Sequence, residues 1–456
     1  MPQSSGTRAQ AVSTARDFLI SGRFQKDLAD LVSYPTESQR DDRGSEMRDY
    51  LEAGLIPRLG RIGFDCSVLS TEAGAPVLVA RRIEADDMPT ILSYGHGDVV
   101  HGQAADWGGG RDPFVLKAEG DHLYGRGTAD NKGQHLINLL ALEAVLATRG
   151  QLGFNSTFLI EMGEERGSPG LEAFCERYRD LLRADVLVAS DGPRLRKDRP
   201  TVFLGARGAL NFDLVVRLRE RGRHSGNFGG VLADPAMILA HALASIADRR
   251  GTLQVPGWQP QSLTQDVREV LAHLPPPDSD DGWGDPSLTA AERLYGGNSF
   301  AVLAMRAGDP DAPQNAIAGH ARATCQLRFV VGTEPANILA DLRAHLDQAG
   351  FDRVEITAED DVFFPATRGD LSGGWLKRVL ASVEATTGQP PDLLPNLAGS
   401  LPNHVFTDLL GLQTIWLPHS YNGCNQHAPD EHVLKPVCED ALGIMAGVFW
   451  DMGEVN

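Results

Sequence analysis

The sequence lacks the features of a membrane protein, a disulfide-linked protein or a nucleic-acid-binding protein. No segment approaches the roughly 18 uninterrupted apolar residues that span a bilayer, and the first residues lack the apolar core of a secretory signal. The five cysteines are scattered without a C-x-x-C pair, so we expect free thiols in a reducing cytoplasm. Lys and Arg total 42 against 61 Asp and Glu, a formal net charge of -19. That balance disfavours a polyanionic partner, because binding to nucleic acids depends on cations that neutralise phosphates.

Helical and strand-like segments alternate over 456 residues, a length that suits two domains. Hydrophobic residues make up 42% and charged residues 23%, which is typical of a folded globular chain. Buried strands are predicted at 76–80, 90–94, 156–161 and 185–189, and helices at 24–32, 46–59 and 134–147. This alternation predicts an α/β domain with a mixed, largely parallel sheet flanked by helices. In such sheets the functional loops follow the carboxyl ends of the strands.

The pattern changes near Arg207, where apolar and polar residues begin to alternate with the period of half-buried strands. Strands are predicted there at 212–218, 321–329 and 353–357, and helices at 235–247 and 335–348. Residues 251–297 are rich in Pro, Gly and Asp and have little periodicity, so we expect an irregular insertion. We therefore predict a discontinuous catalytic domain, residues 1–206 and 363–456, interrupted by an α+β lid and dimerisation domain at 207–362.

Two motifs supply the first candidate metal ligands. His96 directly follows a predicted buried strand, and Asp98 is placed to accept the other ring N–H of that histidine. The alternative is an ordinary strand-end histidine beside a turn aspartate. Asp130 ends the stretch Gly-Arg-Gly-Thr-Ala-Asp just before a long predicted helix, where a carboxylate either bridges two cations or merely caps the helix. The G-K-[ST] ending of a phosphate loop is absent, which argues against a phosphate-handling enzyme.

Three more loops carry candidate ligands. Glu164 and Glu165 follow an apolar strand and repel one another unless a proton or a cation separates them; the alternative is a solvated acidic turn. Asp191 follows the next apolar strand, and His427 lies in a late loop. Each signal is weak alone. Together with the two motifs above they form a set of nitrogen and oxygen ligands without thiolates, which suits a hydrolytic zinc, manganese or cobalt centre better than a structural zinc site.

These motifs form an ordered series that resembles a known family. In chain order they are His-Gly-Asp, Gly-Arg-Gly-x-x-Asp-x-Lys-Gly, Glu-Glu-x-Gly-Ser, Ser-Asp and His-Ala-Pro-x-Glu. The series resembles the co-catalytic zinc peptidases, a family that includes carnosinase-type dipeptidases, aminoacylases, acetylornithine deacetylase and glutamate carboxypeptidases. The resemblance runs from about residue 15 to the end of the chain, and five motifs in this order are highly specific.

The resemblance implies two divalent metal ions, zinc in the first place and manganese or cobalt as alternatives. The implied ligands are His96, Asp130 and Asp191 for one ion, and Asp130, Glu165 and His427 for the other. In this arrangement Asp130 bridges the two ions. Glu164 is implied as the general base and Asp98 as the residue that orients His96.

The resemblance also implies roles for the inserted domain. His224 resembles the lid histidine that reaches across a homodimer and stabilises the developing oxyanion, although a plain turn residue is the alternative. Arg328 lies on the polar face of a predicted strand and is expected to clamp a substrate carboxylate, unless that face is merely solvated. Asn315 and the loop containing Gly399 and Ser400 are implied substrate contacts.

The resulting hypothesis is a cytoplasmic, homodimeric metallohydrolase that cleaves the amide bond of a dipeptide or small peptide bearing a free carboxylate. The runner-up is an N-acyl-amino-acid amidohydrolase, which would use the same catalytic residues. The large region 251–297 favours the dipeptidase, because it makes the lid larger than in compact acylases. A non-catalytic metal-stabilised binding protein is the remote alternative, and Glu164 argues against it because a binding module needs no base. We expect neither a nucleic-acid nor a membrane partner.

Overall fold

The computed structural model describes residues 6–454, without the side chains of residues 359–363. The helices are α1 (Arg8–Ile20), α2 (Arg23–Val32), α3 (Gly44–Asp49), α4 (Ile56–Arg61), α5 (Lys132–Arg149), α6 (Leu171–Arg177), α7 (Ser225–Phe228), α8 (Pro235–Ile246), α9 (Gln265–Ala272), α10 (Ala290–Tyr295), α11 (Ile338–Gln348), α12 (Gly374–Thr387) and α13 (Lys435–Met452). Within the described range, no helix has the length and apolar character needed to cross a membrane.

The strands are shorter and more numerous than the helices. They are β1 (Asp65–Ser70), β2 (Pro76–Arg82), β3 (Thr90–His96), β4 (Lys117–Glu119), β5 (His122–Tyr124), β6 (Asn155–Glu161), β7 (Val186–Ala189), β8 (Pro193–Arg194), β9 (Thr201–Phe203), β10 (Gly208–Arg217), β11 (Arg223–His224), β12 (Ser299–Ala307), β13 (Ala316–Ile317), β14 (His320–Phe329), β15 (Glu355–Phe364), β16 (Asp392–Leu394), β17 (Gln413–Trp416), β18 (Ser420–Tyr421) and β19 (His432–Leu434).

The chain divides into two compact units, and the main sheet lies in the first. Unit 1 contains the residues up to Gly205, Gly369–Leu394 and the residues from Pro402 onward, whereas unit 2 contains Ala206–Arg368 and Pro395–Leu401. Residues 363–368 and 395–401, predicted to belong to the catalytic domain, group instead with unit 2, since β15 pairs with β10 and the backbone of Ala206 pairs with Leu397. The predicted domain limits at residues 1 and 456 lie outside the described residues.

The sheet of unit 1 has eight strands in the order β1-β2-β6-β3-β7-β17-β9-β16. The central strands β6, β3, β7 and β17 are parallel to one another, and antiparallel pairs lie toward the edges. Every residue of β6 and β7 is buried, as apolar strands covered on both faces should be. The helices α5 and α13, each 18 residues long, pack against each other and bury most of their side chains. The predicted α/β class with a mixed sheet is confirmed.

Unit 2 is an antiparallel sheet with helices. Its strands lie in the order β12-β14-β10-β15, and along β14 buried residues alternate with exposed or half-buried ones, as the period-2 pattern predicts. The buried face packs with α8 and α11 around Phe212, Leu239 and Leu342. This arrangement is the predicted α+β composition of the inserted domain.

Of two local expectations, one was wrong and one is confirmed with a detail added. The region 251–297 is not wholly irregular, since it contains α9 and α10; Thr289 and Glu292 cap α10 reciprocally through side chain and backbone. The helix predicted over 46–59 is present, since α3, a wider helical turn at Tyr50–Leu55 and α4 follow one another directly. Pro57 lies just after the wide turn and lacks the N–H that a regular α-helical hydrogen bond would use.

Candidate metal centre

Three neighbouring parallel strands bring candidate ligands to one edge of the sheet of unit 1. β3 ends at His96, β6 leads into the short helical turn that carries Glu164 and Glu165, and β7 is followed by Asp191. Because β6, β3 and β7 are adjacent and parallel, their carboxyl ends meet at this edge. Asp130 lies two residues before α5 begins, and His427 lies in the loop between β18 and β19.

The structure brings all five predicted ligands together, and Asp130 lies between the two histidines. His96 Nε2 is 3.0 Å from Asp130 Oδ1 and 3.7 Å from Asp191 Oδ2. His427 Nε2 is 3.1 Å from Asp130 Oδ2 and 3.0 Å from Glu165 Oε2. We call His96, Asp130, Glu165, Asp191 and His427 the ligand cluster. One carboxylate oxygen of Asp130 thus faces each histidine, the arrangement that a bridging carboxylate requires.

Burial shifts the pKa values of the acidic groups in the ligand cluster. Burial, with repulsion from Asp130, raises the pKa of Glu165 to about 7 and that of Asp191 to about 6. Burial also raises the pKa of Asp130, but the hydrogen bonds from His427 and His96 outweigh this effect and lower it. The same bonds to Asp130 and Glu165 raise the pKa of His427 to about 11. The carboxylates of the cluster therefore repel one another unless a proton or a cation neutralises part of their negative charge.

The donor set fits divalent cations. Ligand atoms of His96, Asp130 and Glu165 lie within 4.8 Å of one another. Asp191 Oδ2 is buried and has no hydrogen-bond partner among the described residues, which is costly for a carboxylate oxygen. Imidazole nitrogens and carboxylate oxygens are ligands that zinc, manganese and cobalt accept. A cation placed between these side chains would relieve both the repulsion and the unsatisfied oxygen.

Asp98 contacts more than the histidine it was predicted to orient. Its side chain is fully buried, and Oδ1 lies 3.4 Å from His96 Nδ1, while the backbone carbonyl of Asp98 lies closer to that nitrogen, at 3.1 Å. The carboxylate also accepts the backbone N–H groups of Glu164 at 3.2 Å and Glu165 at 3.1 Å. The buried Asp98 carboxylate therefore contacts both the predicted ligand His96 and the turn that carries the predicted base, Glu164.

Glu164 lies beside the ligand cluster, where a proton acceptor is useful. Burial raises its pKa well above the usual value, and the negative charges of Asp191, Glu165 and Asp130 act in the same direction, whereas His96 opposes them. A carboxylate with a raised pKa is a stronger base than an ordinary one, so it accepts a proton more readily.

The sequence analysis gave no role to Glu431 and included it only as the last residue of the His-Ala-Pro-x-Glu motif. The Glu431 carboxylate is fully buried. Its Oε1 accepts the backbone N–H groups of Ala129 at 2.8 Å and Asp130 at 3.1 Å. Its Oε2 accepts the Arg126 guanidinium at 2.9 Å and the N–H of Gly127 at 3.0 Å. Four donors on one carboxylate fix the glycine-rich loop that presents Asp130.

A second set of buried polar contacts lies behind Asp130 and was also missed. Asn131 donates from Nδ2 to the carbonyl of Ser190 at 2.9 Å, which joins the loop of Asp130 to that of Asp191. His135 Nδ1 lies 3.1 Å from Asn131 Oδ1. His135 therefore supports, through Asn131, the loop that carries the predicted bridging ligand.

The remaining predicted site residues lie in unit 2, in two groups. Arg328 donates to Ser400 Oγ at 3.0 Å, and the neighbouring Gly399 carbonyl accepts the backbone N–H of Arg207 at 3.1 Å. His224 and Asn315 lie on an exposed part of unit 2, where β11 pairs with β13 and the Asn315 carbonyl accepts the N–H of Ser225. The structure thus joins Arg328 with Ser400, and the loop of His224 with Asn315.

Comparison with known proteins gives consistent matches. The model of peptidase family M20/M25/M40 matches residues 92–451. The chain is 38% identical over 186 residues to the Homo sapiens beta-Ala-His dipeptidase; the alignment covers 40% of this chain and 36% of that relative. An M20 family metallo-carboxypeptidase from Sulfolobus solfataricus superposes with a TM-score of 0.80 at 25% identity, covering 95% of this chain and 99% of that one. Human carnosine dipeptidase 1 shares the fold, with a TM-score of 0.76, 22% identity and coverage of 97% and 100%.

Proposed function

Because the chain belongs to peptidase family M20/M25/M40, we propose that it is a metal-dependent hydrolase that cleaves the amide bond of dipeptides or small peptides with a free carboxylate. The observation that carries this proposal is the ligand cluster, with Asp130 between His96 and His427 and with Glu164 beside it. The relatives named as dipeptidases, which act on beta-Ala-His and on Cys-Gly, favour a dipeptide over an N-acyl amino acid.

We propose that the ligand cluster holds two divalent ions, zinc in the first place. His96, Asp130 and Asp191 would hold one ion, and Asp130, Glu165 and His427 the other. When bound, a pair of such ions lowers the pKa of a water toward about 7 and polarises the scissile carbonyl. The side chains of the cluster supply the positions for the ions, and Asp98 and Glu431 hold the loops that carry them.

In this proposal Glu164 moves the proton. Its carboxylate accepts a proton from the attacking water and then delivers it to the nitrogen of the leaving amine, so the base is regenerated in each turnover. The raised pKa of Glu164 supports this role, because a carboxylate with a low pKa is too weak a base to take the proton from water. Asp98 keeps Glu164 in place through the backbone N–H of that residue.

Unit 2 supplies the remaining roles in the proposal. His224 donates a hydrogen bond to the oxyanion that develops in the transition state, acting in the site of a second copy of the chain in a homodimer. Arg328 binds the free carboxylate of the substrate, with Ser400, Gly399 and Asn315 as further contacts. We also propose a cytoplasmic location, which agrees with the five unpaired cysteines.

The test is a substrate panel on metal-stripped protein reloaded with zinc, manganese or cobalt. Beta-Ala-His, Cys-Gly and N-acetyl amino acids are offered to the same preparation. We expect metal-dependent cleavage of dipeptides; faster cleavage of N-acetyl amino acids would make the protein an acylase, and no cleavage of either class would reject the proposal.

Glu164→Gln is the matched variant for the mechanism, because glutamine keeps the shape of the side chain and loses the base. We expect turnover to fall by a factor of at least about 100 while the metal content, measured by atomic emission, stays that of the wild type. Loss of metal together with activity would instead make Glu164 a ligand.

A further inference from the structure

Two arginines of unit 2 lie side by side, and among the side chains that the structure describes neither has an anionic partner. Arg207 is 5% exposed and Arg328 is half-buried. Arg207 Nη1 donates to Ser299 Oγ at 3.2 Å, and Ser299 lies directly opposite Arg328 in the β12–β14 pairing. Both guanidinium groups also bind the loop that follows Leu397, Arg207 through the Ala398 carbonyl at 2.8 Å and Arg328 through Ser400 Oγ at 3.0 Å. We call Arg207 and Arg328 the arginine pair.

Every group that accepts a hydrogen bond from the arginine pair in the described structure is uncharged. Besides the groups above, Arg328 Nε donates to Gln326 Oε1 at 3.0 Å. Within the described part of the chain, no carboxylate oxygen lies within 4 Å of either guanidinium. The most deeply buried arginines of unit 1 differ, since Arg126 binds Glu431 and Arg194 binds Asp440, both through carboxylates.

A buried cation without a counter-charge is costly, and two such cations repel one another. Burial and the charge of Arg328 lower the pKa of Arg207 to about 10, the direction expected when no anion is near. An anionic ligand between the two guanidinium groups would remove this cost. Guanidinium groups bind carboxylates through paired, charge-assisted hydrogen bonds.

Space for a ligand lies next to Arg207. Arg207 and Ser299 form part of the wall of a cavity of about 780 Å³ within unit 2, whose apolar lining includes Trp258 and Phe300. Of the other arginines of this wall, Arg268 is paired with Glu292, whereas Arg293, like Arg207, donates to neutral groups. Arg207 differs from Arg293 in lying beside a second guanidinium, that of Arg328, so two positive charges are close enough together to bind a ligand with two carboxylates.

We propose that the arginine pair recognises a substrate with two carboxylates, namely a dipeptide whose C-terminal residue is aspartate or glutamate. Arg328 binds the α-carboxylate and Arg207 binds the side-chain carboxylate at the cavity wall. This inference rests on the proposed peptidase function for the substrate itself, whereas the binding of the acidic C-terminal residue is testable without turnover.

The first experiment compares glutamate with glutamine, which have the same shape and differ by one charge. Binding of each free amino acid to the metal-loaded wild type is measured by calorimetry, and kcat/KM is measured for two dipeptides that share the N-terminal residue and end in Glu or Gln. We expect glutamate to bind at least about tenfold more tightly, with a similar preference in kcat/KM. Equal binding of glutamate and glutamine would overturn the proposal. Preferred binding of glutamate without cleavage of either dipeptide would uphold the arginine pair and reject the peptidase function.

The second experiment assigns the preference to Arg207. Arg207→Gln is expected to reduce the glutamate-to-glutamine ratio to about one, because the neutral side chain keeps a hydrogen-bond donor and loses the charge. Arg268→Gln is the control: it removes another arginine from the same cavity wall, and the ratio is expected to stay that of the wild type. Equal ratios in the two variants would remove Arg207 from the site. If Arg207→Gln does not fold, the wild-type comparison alone decides.

Discussion

Among single residues, Glu431 shows how a buried carboxylate supports the proposed metal centre through backbone contacts alone. It belongs to the same loop as His427, and it binds the backbone N–H of Asp130. Two predicted ligands more than 290 positions apart in the chain are therefore held in register by one buried side chain. Burial raises the pKa of Glu431, and the Arg126 guanidinium and the backbone N–H groups that bind the carboxylate oppose this shift.

Replacing Glu431 with Gln should weaken metal binding. The amide NH₂ would face backbone N–H groups that now donate to a carboxylate oxygen, so the glycine-rich loop would shift and displace Asp130. Partners that orient metal ligands typically contribute a factor of about 10–100 in metal affinity, and we expect a loss in that range. Competition with a chromophoric chelator measures it.

Asp392→Asn is the control for Glu431→Gln. Asp392 is also a buried carboxylate bound by arginine, with Arg196 Nη2 at 2.6 Å, but it lies on β16 and contacts none of the ligand cluster. Both variants should lower the thermal stability of the metal-free protein. If Glu431→Gln does only that and keeps the wild-type metal affinity, its role is structural and our interpretation is wrong.

Some residues of the candidate site were predictable from the sequence, and others were not. His96, Asp130, Glu165, Asp191 and His427 were recognisable because an ordered motif series carries them, and the structure brings all five together. The contacts of Asp98 and Glu431 with backbone N–H groups were not predictable. They depend on how two distant loops pack, and a sequence pattern records side-chain types but not the hydrogen bonds of the backbone.

Among elements, the edge strand β12 has the strongest implication for assembly. It pairs with β14 on one side only, and its apolar residues Val302, Leu303 and Met305 are 44%, 53% and 48% exposed. An exposed apolar edge is an unused template for pairing with another strand. Sequence analysis missed β12, because it follows directly on the Pro- and Gly-rich region and shows no simple alternation.

We predict that β12 contributes to the proposed homodimer, and Leu303→Lys tests this. Leu303 lies at a bulge, where the register with β14 shifts, so a lysine there should leave the pairing inside the sheet unchanged. The charge should block association at the edge, and the variant should sediment as a monomer. Because His224 is proposed to act in the partner's site, the activity of the monomer should fall at least about tenfold.

Val115→Lys provides the comparison for Leu303→Lys, because Val115 is 62% exposed and belongs to unit 1. This variant should keep the association state and activity of the wild type. A Leu303→Lys protein that remains dimeric would exclude β12 from the interface. A monomeric Leu303→Lys protein with full activity would show that His224 does not act across a dimer.

For the whole molecule, the resemblance to the peptidase family is confirmed and the fold class is confirmed. Alternation of strands and helices indicated the α/β sheet, and the change of period near Arg207 indicated a second unit. The assignment of 395–401 to unit 2 could not be read from composition. It depends on contacts between segments far apart in the chain, namely the backbone pairing of Ala206 with Leu397 and the hydrogen bonds that Arg207 and Arg328 donate to Ala398 and Ser400.

Removal of metal should destabilise unit 1 and leave unit 2 largely unaffected, because the ligand cluster lies entirely in unit 1. Without cations, the buried carboxylates around Asp130 repel one another, and ligand binding stabilises the folded state by about 2.7 kcal/mol at a free concentration of 100 times Kd. Hydrogen exchange with and without chelator measures this for each segment. Chelation should speed exchange at the start of α5 and in the His427 loop, but not in β10 or β14. Exchange that accelerates equally in both units would contradict a metal centre confined to unit 1, and unchanged exchange everywhere would contradict metal binding by the cluster.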